Sequence, residues 1–149
     1  MFYGEYEHTI DRKGRIIIPS KFRDVFKEQF AEKFYVTRGL DKCLFVFTEE
    51  EWKTQEQKFK SMSFTKADSR KFNRLFFSGA ADITCDKQGR VLLPQYLKDY
   101  AGIKRDVMIV GVSNRIEIWS KEEWRKYYDG AAPSFEKTAE NLLDLEEKG

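Results

Sequence analysis

Histidine and cysteine are almost absent from this chain of 149 residues. It has one histidine, His8, and two cysteines, Cys43 and Cys85, which form no C-x-x-C pair. A nucleophilic triad built on histidine, or a zinc site, needs such side chains in closely spaced groups, so the composition argues against both. We expect two buried, reduced thiols, with a single disulfide bond as the alternative.

Long apolar segments are also missing. The longest purely apolar run is Cys43–Phe47, far short of the roughly 20 residues that a membrane-spanning helix needs. Residues Met1–Ile10 have no apolar segment typical of a signal peptide, and Phe2 stands where a myristoyl anchor needs glycine. We therefore expect no membrane partner and a cytoplasmic location.

Phosphate-binding glycine motifs are absent as well. The glycines form neither G-x-x-x-x-G-K nor G-x-G-x-x-G. Asp11 and Asp86 each stand four residues before an arginine, and this spacing favours an ion pair over the raised pKa of a general acid. We expect no enzyme activity, no metal and no cofactor.

The chain does have enough apolar residues to fold. Hydrophobic residues make up 41% of the sequence, and phenylalanine alone contributes 13 residues. The 27 basic and 25 acidic residues leave a net charge of +2. These values exclude a globally disordered chain and argue against a strongly basic coat protein for nucleic acid.

One sequence unit occurs twice. Asp11–Pro19 (DRKGRIIIP) recurs as Asp86–Pro94 (DKQGRVLLP) at an offset of 75 residues. Four of the nine positions are identical, and only Lys13 against Gln88 changes in character. Flanking residues also match, at an offset of 75 upstream and 72 downstream. We infer an internal duplication, whose halves are called the first and second copy below.

Both copies predict the same order of elements: a strand, a polar turn, a short strand, a helix, a β-hairpin and a second helix. In the first copy the expected positions are Tyr3–Ile10, Asp11–Gly14, Ile16–Ile18, Ser20–Phe30, Phe34–Arg38 with Cys43–Phe47, and a helix capped by Thr48 with Glu51. In the second copy they are a strand ending at Cys85, Val91–Leu93, a helix from Pro94, a hairpin over Val107–Trp119 and a helix near Ser120.

Two segments lie outside the duplication. Between the copies, Trp52–Met62 and Thr65–Phe76 are predicted to be helical. After an expected break at Gly130–Pro133, Glu136–Gly149 has five acidic and two basic residues, and we expect a frayed or solvated helix. Without this tail the chain has 25 basic and 20 acidic residues, so the rest of the molecule carries a net charge of +5.

The most specific feature is the repeated Asp-x-x-x-Arg pattern, Asp11 with Arg15 and Asp86 with Arg90. One interpretation is purely structural, since each aspartate can hold its arginine across a turn and stiffen the loop. The other adds a target, because an oriented guanidinium group can bind a phosphate or the O6 and N7 atoms of guanine. Two near-equivalent basic loops are typical of a dimeric DNA reader.

The turn, strand, proline and helix signature resembles the AbrB-like, swapped-hairpin class of bacterial transcription factors, and the chain is similar to the MraZ family from Met1 to about Tyr128. The residues that carry this resemblance are Met1–Gly4, both Asp-x-x-x-Arg loops, Arg70-x-x-x-Arg74 running into Phe77–Ala80, and Val110-Gly111. The resemblance implies an α+β fold of two tandem AbrB-like (SpoVT-AbrB) swapped-hairpin, β-barrel-type halves with short helices, which form a pseudo-dimer within one chain. The expected divisions are residues 1–52 for the first repeat, 53–76 for a helical connector, 77–128 for the second repeat and 129–149 for an acidic, flexible tail.

The same resemblance implies a function. The chain is expected to be a sequence-specific regulator of the bacterial division and cell-wall gene cluster that binds direct repeats in its own promoter. Its implied partners are double-stranded DNA and further copies of itself in a ring, an octamer or a dodecamer, associated with the nucleoid. The implied DNA contacts are Arg12, Lys13, Arg15, Lys87 and Arg90, and the implied loop-orienting residues are Asp11, Gly14, Asp86 and Gly89.

Other interpretations stay open. The chain could be a non-catalytic oligomeric scaffold or protein-interaction module, in which the Asp–Arg pairs are only structural. A basic patch on the second connector helix, Arg70, Lys71 and Arg74, is either solvated, paired with Glu49–Glu51, or a contact to another subunit or to DNA. Phe72, Phe76 and Phe77 are expected in the core, with a ring interface as the alternative, and Leu75 is expected on the same helix face as Phe72 and Phe76. The two matching tryptophans, Trp52 and Trp124, are expected to anchor their helices in the core.

Overall fold

The computed structural model of the protein describes residues 1–28 and 33–148. The strands in these ranges are β1 Phe2–Thr9, β2 Arg15–Ile17, β3 Phe34–Arg38, β4 Leu44–Thr48, β5 Ala81–Ile83, β6 Arg90–Leu92, β7 Asp106–Ser113 and β8 Ile116–Ser120. The helices are α1 Ser20–Glu28, α2 Glu49–Lys60, α3 Ala67–Ser78, α4 Gln95–Tyr100, α5 Lys121–Ala131 and α6 Phe135–Lys148, with one 3-10 turn at Ala132–Ser134.

The strands of the two copies are interleaved. Six strands form one antiparallel sheet in the order β1-β7-β8-β4-β3-β5, and β2 pairs with β6 in a separate two-stranded ribbon. The first strand of each copy pairs with the third strand of the other copy, β1 with β7 and β5 with β3. Each copy therefore completes its sheet with a strand of the other. The predicted α+β class, a mixed fold with an antiparallel sheet, is confirmed.

The main core fills one side of this sheet. Side chains alternate between the two faces of a strand, and Leu44 and Val46 of β4 point into this core. Helices α1 and α4 and the β2–β6 ribbon close it from outside. Their core residues fall in pairs related by the offset of 75, each at most 1% exposed: Phe22 with Leu97, Ile16 with Val91, and Ile18 with Leu93.

Helices α2, α3 and α5 pack on the opposite side of the sheet. Phe47 of β4 packs with Trp52 of α2 and Phe76 of α3, and Trp119 of β8 packs with Trp124 of α5. Since Phe47 alternates with the core residues of the same strand, these helices and the β2–β6 ribbon lie on opposite sides of the sheet.

Equivalent residues cap α2 and α5. The Thr48 hydroxyl accepts a hydrogen bond from the Glu51 backbone N–H at 3.2 Å, and the Ser120 hydroxyl accepts one from the Glu123 N–H at 3.1 Å. The cap predicted at Thr48 is confirmed, and Ser120 plays the same part in the second copy. The Glu51 carboxylate is used differently from a capping box, because it accepts hydrogen bonds from the side chains of Gln55 and Asn114.

Some sequence expectations need correction. Leu75 does not share the buried face of α3, for it is 53% exposed. The buried face centres on Phe72 and Phe76, which are spaced i and i+4, and it continues to Phe77, so Leu75 is turned toward the outer face. Trp124 is only half-buried, unlike its equivalent Trp52, because no helix in the described ranges covers it as α3 covers Trp52.

The break predicted at Gly130–Pro133 takes the form of a 3-10 turn between α5 and α6. Helix α5 runs through Gly130 to Ala131, since an internal glycine costs a helix only about 1 kcal/mol. Pro133 lies at the start of the 3-10 turn, where its missing N–H is tolerated. The segment expected to be a frayed or solvated helix is helical as α6, and its residues from Phe135 to Asp144 are exposed apart from Ala139.

Two further expectations are met in part. Helix α1 begins at Ser20 as predicted and is described to Glu28, while Phe30 lies outside the described residues. Cys43 is buried and Cys85 is half-buried, and both are free thiols. Burial raises the pKa of both thiols above its usual value, so neither is a reactive thiolate at neutral pH.

Candidate nucleic-acid interface

The first Asp-x-x-x-Arg loop is a closed turn built around one carboxylate. Asp11 Oδ1 accepts hydrogen bonds from the backbone N–H groups of Lys13 and Arg15, both at 2.9 Å. Asp11 Oδ2 accepts from Nε of Arg15 at 2.7 Å. The turn requires a left-handed residue, and Gly14 supplies it with φ +81°. The arginine side chain therefore leaves the loop in one defined direction.

The second loop repeats these bonds atom for atom. Asp86 Oδ1 accepts from the N–H groups of Gln88 and Arg90 at 2.9 Å, and Oδ2 accepts from Nε of Arg90 at 2.8 Å. Gly89 has φ +80°. The Lys13 to Gln88 exchange does not disturb the turn, because only the backbone N–H of this position takes part.

The β2–β6 ribbon joins the two loops. Its antiparallel register places Arg15 opposite Leu92 and Arg90 opposite Ile17. Backbone bonds continue the ladder beyond the strands, with Leu93 N–H donating to the Gly14 carbonyl at 3.1 Å and Ile18 N–H to the Gly89 carbonyl at 2.9 Å. The two arginines therefore stand at opposite ends of one small ribbon.

The outer side of the ribbon mixes arginine with exposed apolar residues. Ile16 and Val91 point into the core, whereas Ile17 is 43% exposed and Leu92 is 60% exposed. Sequence reasoning treated both short strands as uniformly apolar and missed this outward pair. The alternation of side chains along a strand could have predicted it, because in a strand of three residues with a buried central side chain the first and third side chains point outward.

Each loop also lies against a basic side chain from the other copy. A Cβ atom added to Gly14 would come 2.5 Å from Nζ of Lys98 in α4, and one added to Gly89 would come 2.6 Å from the guanidinium of Arg23 in α1. Arg23 Nε also donates to the Ile18 carbonyl at 3.0 Å. Arg23 and Lys98 are related by the same offset of 75, so the repeat itself indicates that they occupy equivalent positions in the two copies. We call residues 11–15 and 86–90, the outer residues of the ribbon, Arg23 and Lys98 the loop face.

The loop face combines fixed ion pairs with free cations. The pKa of Asp11 is held below its usual value, chiefly by the hydrogen bond from the Arg15 backbone N–H. The Arg15 side chain and the Lys13 backbone N–H lower it further. The equivalent bonds from Arg90 and Gln88 lower the pKa of Asp86 in the same way. Both carboxylates are therefore ionised at neutral pH. Three exposed cations form no ion pair among the residues that the structure describes: Arg12, Lys13 and Lys87.

The basic patch of α3 lies away from the loop face. Arg70 donates from Nη1 to the backbone carbonyls of Phe64 and Thr65, which closes the turn between α2 and α3. Lys71 and Arg74 are exposed on the outer face of α3. Of the alternatives for this patch, pairing with Glu49–Glu51 does not occur among the described residues, because Glu49 pairs with Lys53 and the Glu51 carboxylate accepts from amide side chains.

Side chains that could ligate a metal do not cluster in the part of the chain that the structure describes. Over residues 1–28 and 33–148, no three histidine, cysteine, aspartate or glutamate side chains lie close enough together to hold a metal ion. His8 is half-buried on β1, paired in register with Val107. In the same ranges, every helix is too short or too polar to cross a bilayer.

Both copies match one protein family. The family model described as "MraZ protein, putative antitoxin-like" matches residues 1–75 and 76–145. Relatives named "Transcriptional regulator MraZ" from Desulforamulus reducens and Carboxydothermus hydrogenoformans are each 54% identical over 145 residues, which cover 97% of this chain and 99% of the relative. A third relative of that name, from Syntrophomonas wolfei, is 53% identical over 145 residues, which again cover 97% of this chain and 99% of the relative.

A comparison with solved structures gives a much weaker similarity. The solution structure of PHS018 from Pyrococcus horikoshii covers 79% of this chain and 88% of its own, at a TM-score of 0.32 and 21% identity, a score below the level that indicates a shared fold. The sequence relatives are named as regulators, and theirs is not an enzyme family. With both of its halves matched, this chain belongs to the MraZ family.

Proposed function

We propose that the chain is a DNA-binding transcriptional regulator whose loop face binds double-stranded DNA. The observation that carries the proposal is the pair of congruent loops, each holding an arginine on an aspartate, at the two ends of one ribbon. The regulators named among its relatives support the same function. The proposed target is the direct repeats in its own promoter, at the head of the bacterial division and cell-wall gene cluster.

The dimensions of the ribbon suit the major groove. Two paired strands lie about 4.8 Å apart, and the groove is about 12 Å wide and admits a two-stranded ribbon. Arg15 and Arg90 then reach base edges or phosphates from opposite ends of the ribbon. Ile17 and Leu92, exposed between them, fit the methyl group of thymine, which is the apolar feature of that groove.

The surrounding cations supply contacts that do not depend on sequence. Arg12, Lys13 and Lys87 are exposed beside the loops and are proposed to bind phosphates. Arg23 and Lys98, which belong to the basic stretches of the two copies, extend this positive rim from the helices. Asp11, Gly14, Asp86 and Gly89 set the direction of the arginines and do not themselves bind DNA.

The exchange of strands between the two copies supports a swapped-hairpin arrangement of the fold. Because β1 pairs with β7 and β5 with β3, we propose that the two copies, with divisions at residues 52, 76 and 128, form a swapped-hairpin pseudo-dimer of the AbrB-like class. We further propose that several chains form a ring in the cytoplasm, an octamer or a dodecamer associated with the nucleoid. Such a ring would place many loop faces along tandem sites, so that avidity offsets a modest affinity of each face.

A polarisation titration tests the binding proposal. The wild type and the Arg15→Ala/Arg90→Ala variant are titrated onto a labelled duplex from the chain's own upstream region, and onto a scrambled duplex. Each good arginine–guanine pair contributes about 1 to 3 kcal/mol of discrimination, so losing both should weaken specific binding by at least about 30-fold. Circular dichroism confirms that the variant is folded.

The matched control also removes two positive charges. Lys53→Ala/Lys126→Ala changes helices α2 and α5 on the other side of the sheet, and it should keep the affinity of the wild type. Unchanged affinity in the arginine variant would refute the proposal. Equal affinity of the wild type for the upstream and scrambled duplexes would favour the scaffold function, in which the Asp–Arg pairs are only structural.

A further inference from the structure

A cleft at one end of the sheet is lined mainly by cations. It has a volume of about 320 Å³ and lies between the turn that precedes β7 and the start of α5. None of its charged residues belongs to the loop face. We call its cations the basic track, and these are Lys104, Arg105, Lys121 and Arg125; the carboxylates beside them are Asp106 and Glu122.

Most of the basic track is free to bind an anion. Lys104, Arg105 and Arg125 are exposed, and they form no ion pair in residues 1–28 and 33–148. An exposed cation of this kind gains from a phosphate because it has no local carboxylate to give up. Three such cations along one cleft suit a ligand with several regularly spaced phosphates, which is the chemistry of a nucleic-acid backbone.

The carboxylates near the track do not neutralise it. Glu122 turns to Lys126 of its own helix, at 3.5 Å. Glu7 of β1 pairs with Lys121, and a pair this exposed is worth at most about 1 kcal/mol, so a phosphate can compete for the lysine. Asp106 is exposed at the start of β7. The cleft therefore keeps an excess of positive charge.

The basic track lies next to the first loop. The Arg105 carbonyl accepts a hydrogen bond from the N–H of Ile10, directly before the loop, at 2.8 Å. The Lys98 carbonyl accepts one from the Ile103 N–H at 2.9 Å, and the Lys98 side chain reaches Gly14. The track thus begins where the loop face ends, and it continues across the end of the sheet to α5.

The equivalent helix of the first copy has no such excess charge at its start. The offset of 72 places Glu49 and Lys53 of α2 at the positions of Lys121 and Arg125 of α5. Glu49 and Lys53 pair with each other at 4.0 Å, so their charges cancel. The duplication has therefore diverged in charge here, although both helices keep the same type of N-terminal cap.

We propose that the basic track binds backbone phosphates of the DNA that flanks the half-site of the first loop. The exchange of Lys13 for Gln88 acts in the same direction, since it also makes the first-loop end the more positive one. Phosphate contacts fix the register and orientation of a protein on the duplex. A loop face of near two-fold symmetry thereby acquires a polarity, which suits sites repeated in one direction. The inference rests on the proposed DNA binding and adds a contact outside the loop face.

Polarisation titrations of the full-length protein on four duplexes test this polarity. Each duplex contains one repeat from the upstream region, with about five base pairs of unrelated sequence, half a helical turn, added on neither side, on one side, on the other side or on both. The wild type should gain affinity from the flank on one side and little from the other. Because each phosphate contact adds about 0.9 to the slope of log affinity against log salt, three contacts should make the flanked duplex lose about 40-fold more affinity between about 50 and about 200 mM salt.

A variant without the unpaired cations connects this gain to the track. Lys104→Ala/Arg105→Ala/Arg125→Ala changes only exposed side chains, and circular dichroism checks that it is folded. We expect it to bind the duplex without flanks as the wild type does and to lose the one-sided gain. Lys121→Glu, which gives α5 the residue found at the start of α2, should reduce the gain because it places a carboxylate in the cleft.

The matched control removes three cations from the equivalent helix. Lys53→Ala/Lys58→Ala/Lys60→Ala changes exposed residues of α2 and should keep the one-sided gain. Equal gains from the two flanks, or a one-sided gain that persists in the track variant, would overturn the inference while leaving the binding of DNA by the loops intact. Selective loss of the gain when inorganic phosphate replaces chloride at equal ionic strength would instead assign the cleft to a small free anion. If the duplexes bind no better than a scrambled one, the proposed function fails and the inference fails with it.

Discussion

The two copies of the duplicated unit agree closely on one side of the sheet and differ on the other. On the loop side, Asp11 with Arg15 and Asp86 with Arg90 make the same bonds within 0.1 Å. On the helix side, α3 covers Trp52, while Trp124 is left half-exposed beside α6.

The difference shows where the two copies have to be alike. A target with two equivalent half-sites needs two equivalent loops, and the ribbon register makes their positions symmetric. A contact with DNA on one flank only needs two ends of unlike charge, and α5 begins with Lys121 where α2 begins with Glu49. The duplication is therefore kept in the loops proposed to face the two half-sites and lost in the helices, where the proposed contact is one-sided.

The largest expected effect separates the two tryptophans. Trp52→Ala removes a side chain that is only 8% exposed, and it should lower the free energy of unfolding by about 3 to 5 kcal/mol. Trp124→Ala removes a half-buried side chain and should cost about 1 to 2 kcal/mol. Urea denaturation at low protein concentration measures both. Equal losses would show that the two helices are covered alike.

The glycines of the two loops should show smaller and graded losses. Alanine at a positive φ costs about 1 to 2 kcal/mol, and Gly102→Ala serves as the control because φ is +65° and no atom lies within 4 Å of its added Cβ. Gly14→Ala must also move the flexible end of Lys98. Gly89→Ala must move the Arg23 guanidinium, which is held by its hydrogen bond to the Ile18 backbone carbonyl. Chemical denaturation should rank Gly89→Ala as most destabilising and Gly102→Ala as least. The reverse order would contradict the placement of these cations.

Acid should act on the two loops equally. The folded-state pKa values of Asp11 and Asp86 are both lowered, so their contribution to stability is complete above the unfolded value of about 3.9 and is lost as pH falls through the folded value. Carboxyl carbon NMR should give both midpoints below 3.9, the usual value for aspartate. A midpoint at or above it for either residue would show that its loop is open in solution.

The smallest expected effect concerns the one position at which the loops differ. If Lys13 binds a phosphate, Lys13→Gln makes the first loop like the second and lowers the slope of log affinity against log salt by about 1. Gln88→Lys should raise that slope by a similar amount. The affinity changes should be the same for specific and scrambled duplexes. A slope that responds to neither substitution would remove Lys13 from the contact.

Much of the fold follows from the repeat. The predicted strand Phe34–Arg38 is confirmed with the same bounds, and the turn signature placed the positive φ at Gly14. These features are local, since they depend on residues within one turn or one strand. The predicted ion pair of Asp11 with Arg15 is local in the same way and is confirmed.

The features that the sequence did not reveal depend on distant contacts. Helical periodicity groups Leu75 with the phenylalanines of α3, but only the packed structure shows which part of the apolar arc is covered. Arg23 and Lys98 reach the opposite copy's loop because the strands are exchanged, and no spacing within one copy predicts that contact.

Hydrogen exchange of the full-length protein, with and without its upstream DNA, tests the central claim most directly. The account predicts that DNA protects backbone amides of both loops, residues 11–18 and 86–93, to a similar extent, and leaves those of α2, α3 and α6 unchanged. Protection by DNA in these three helices, or in neither loop, would contradict the account.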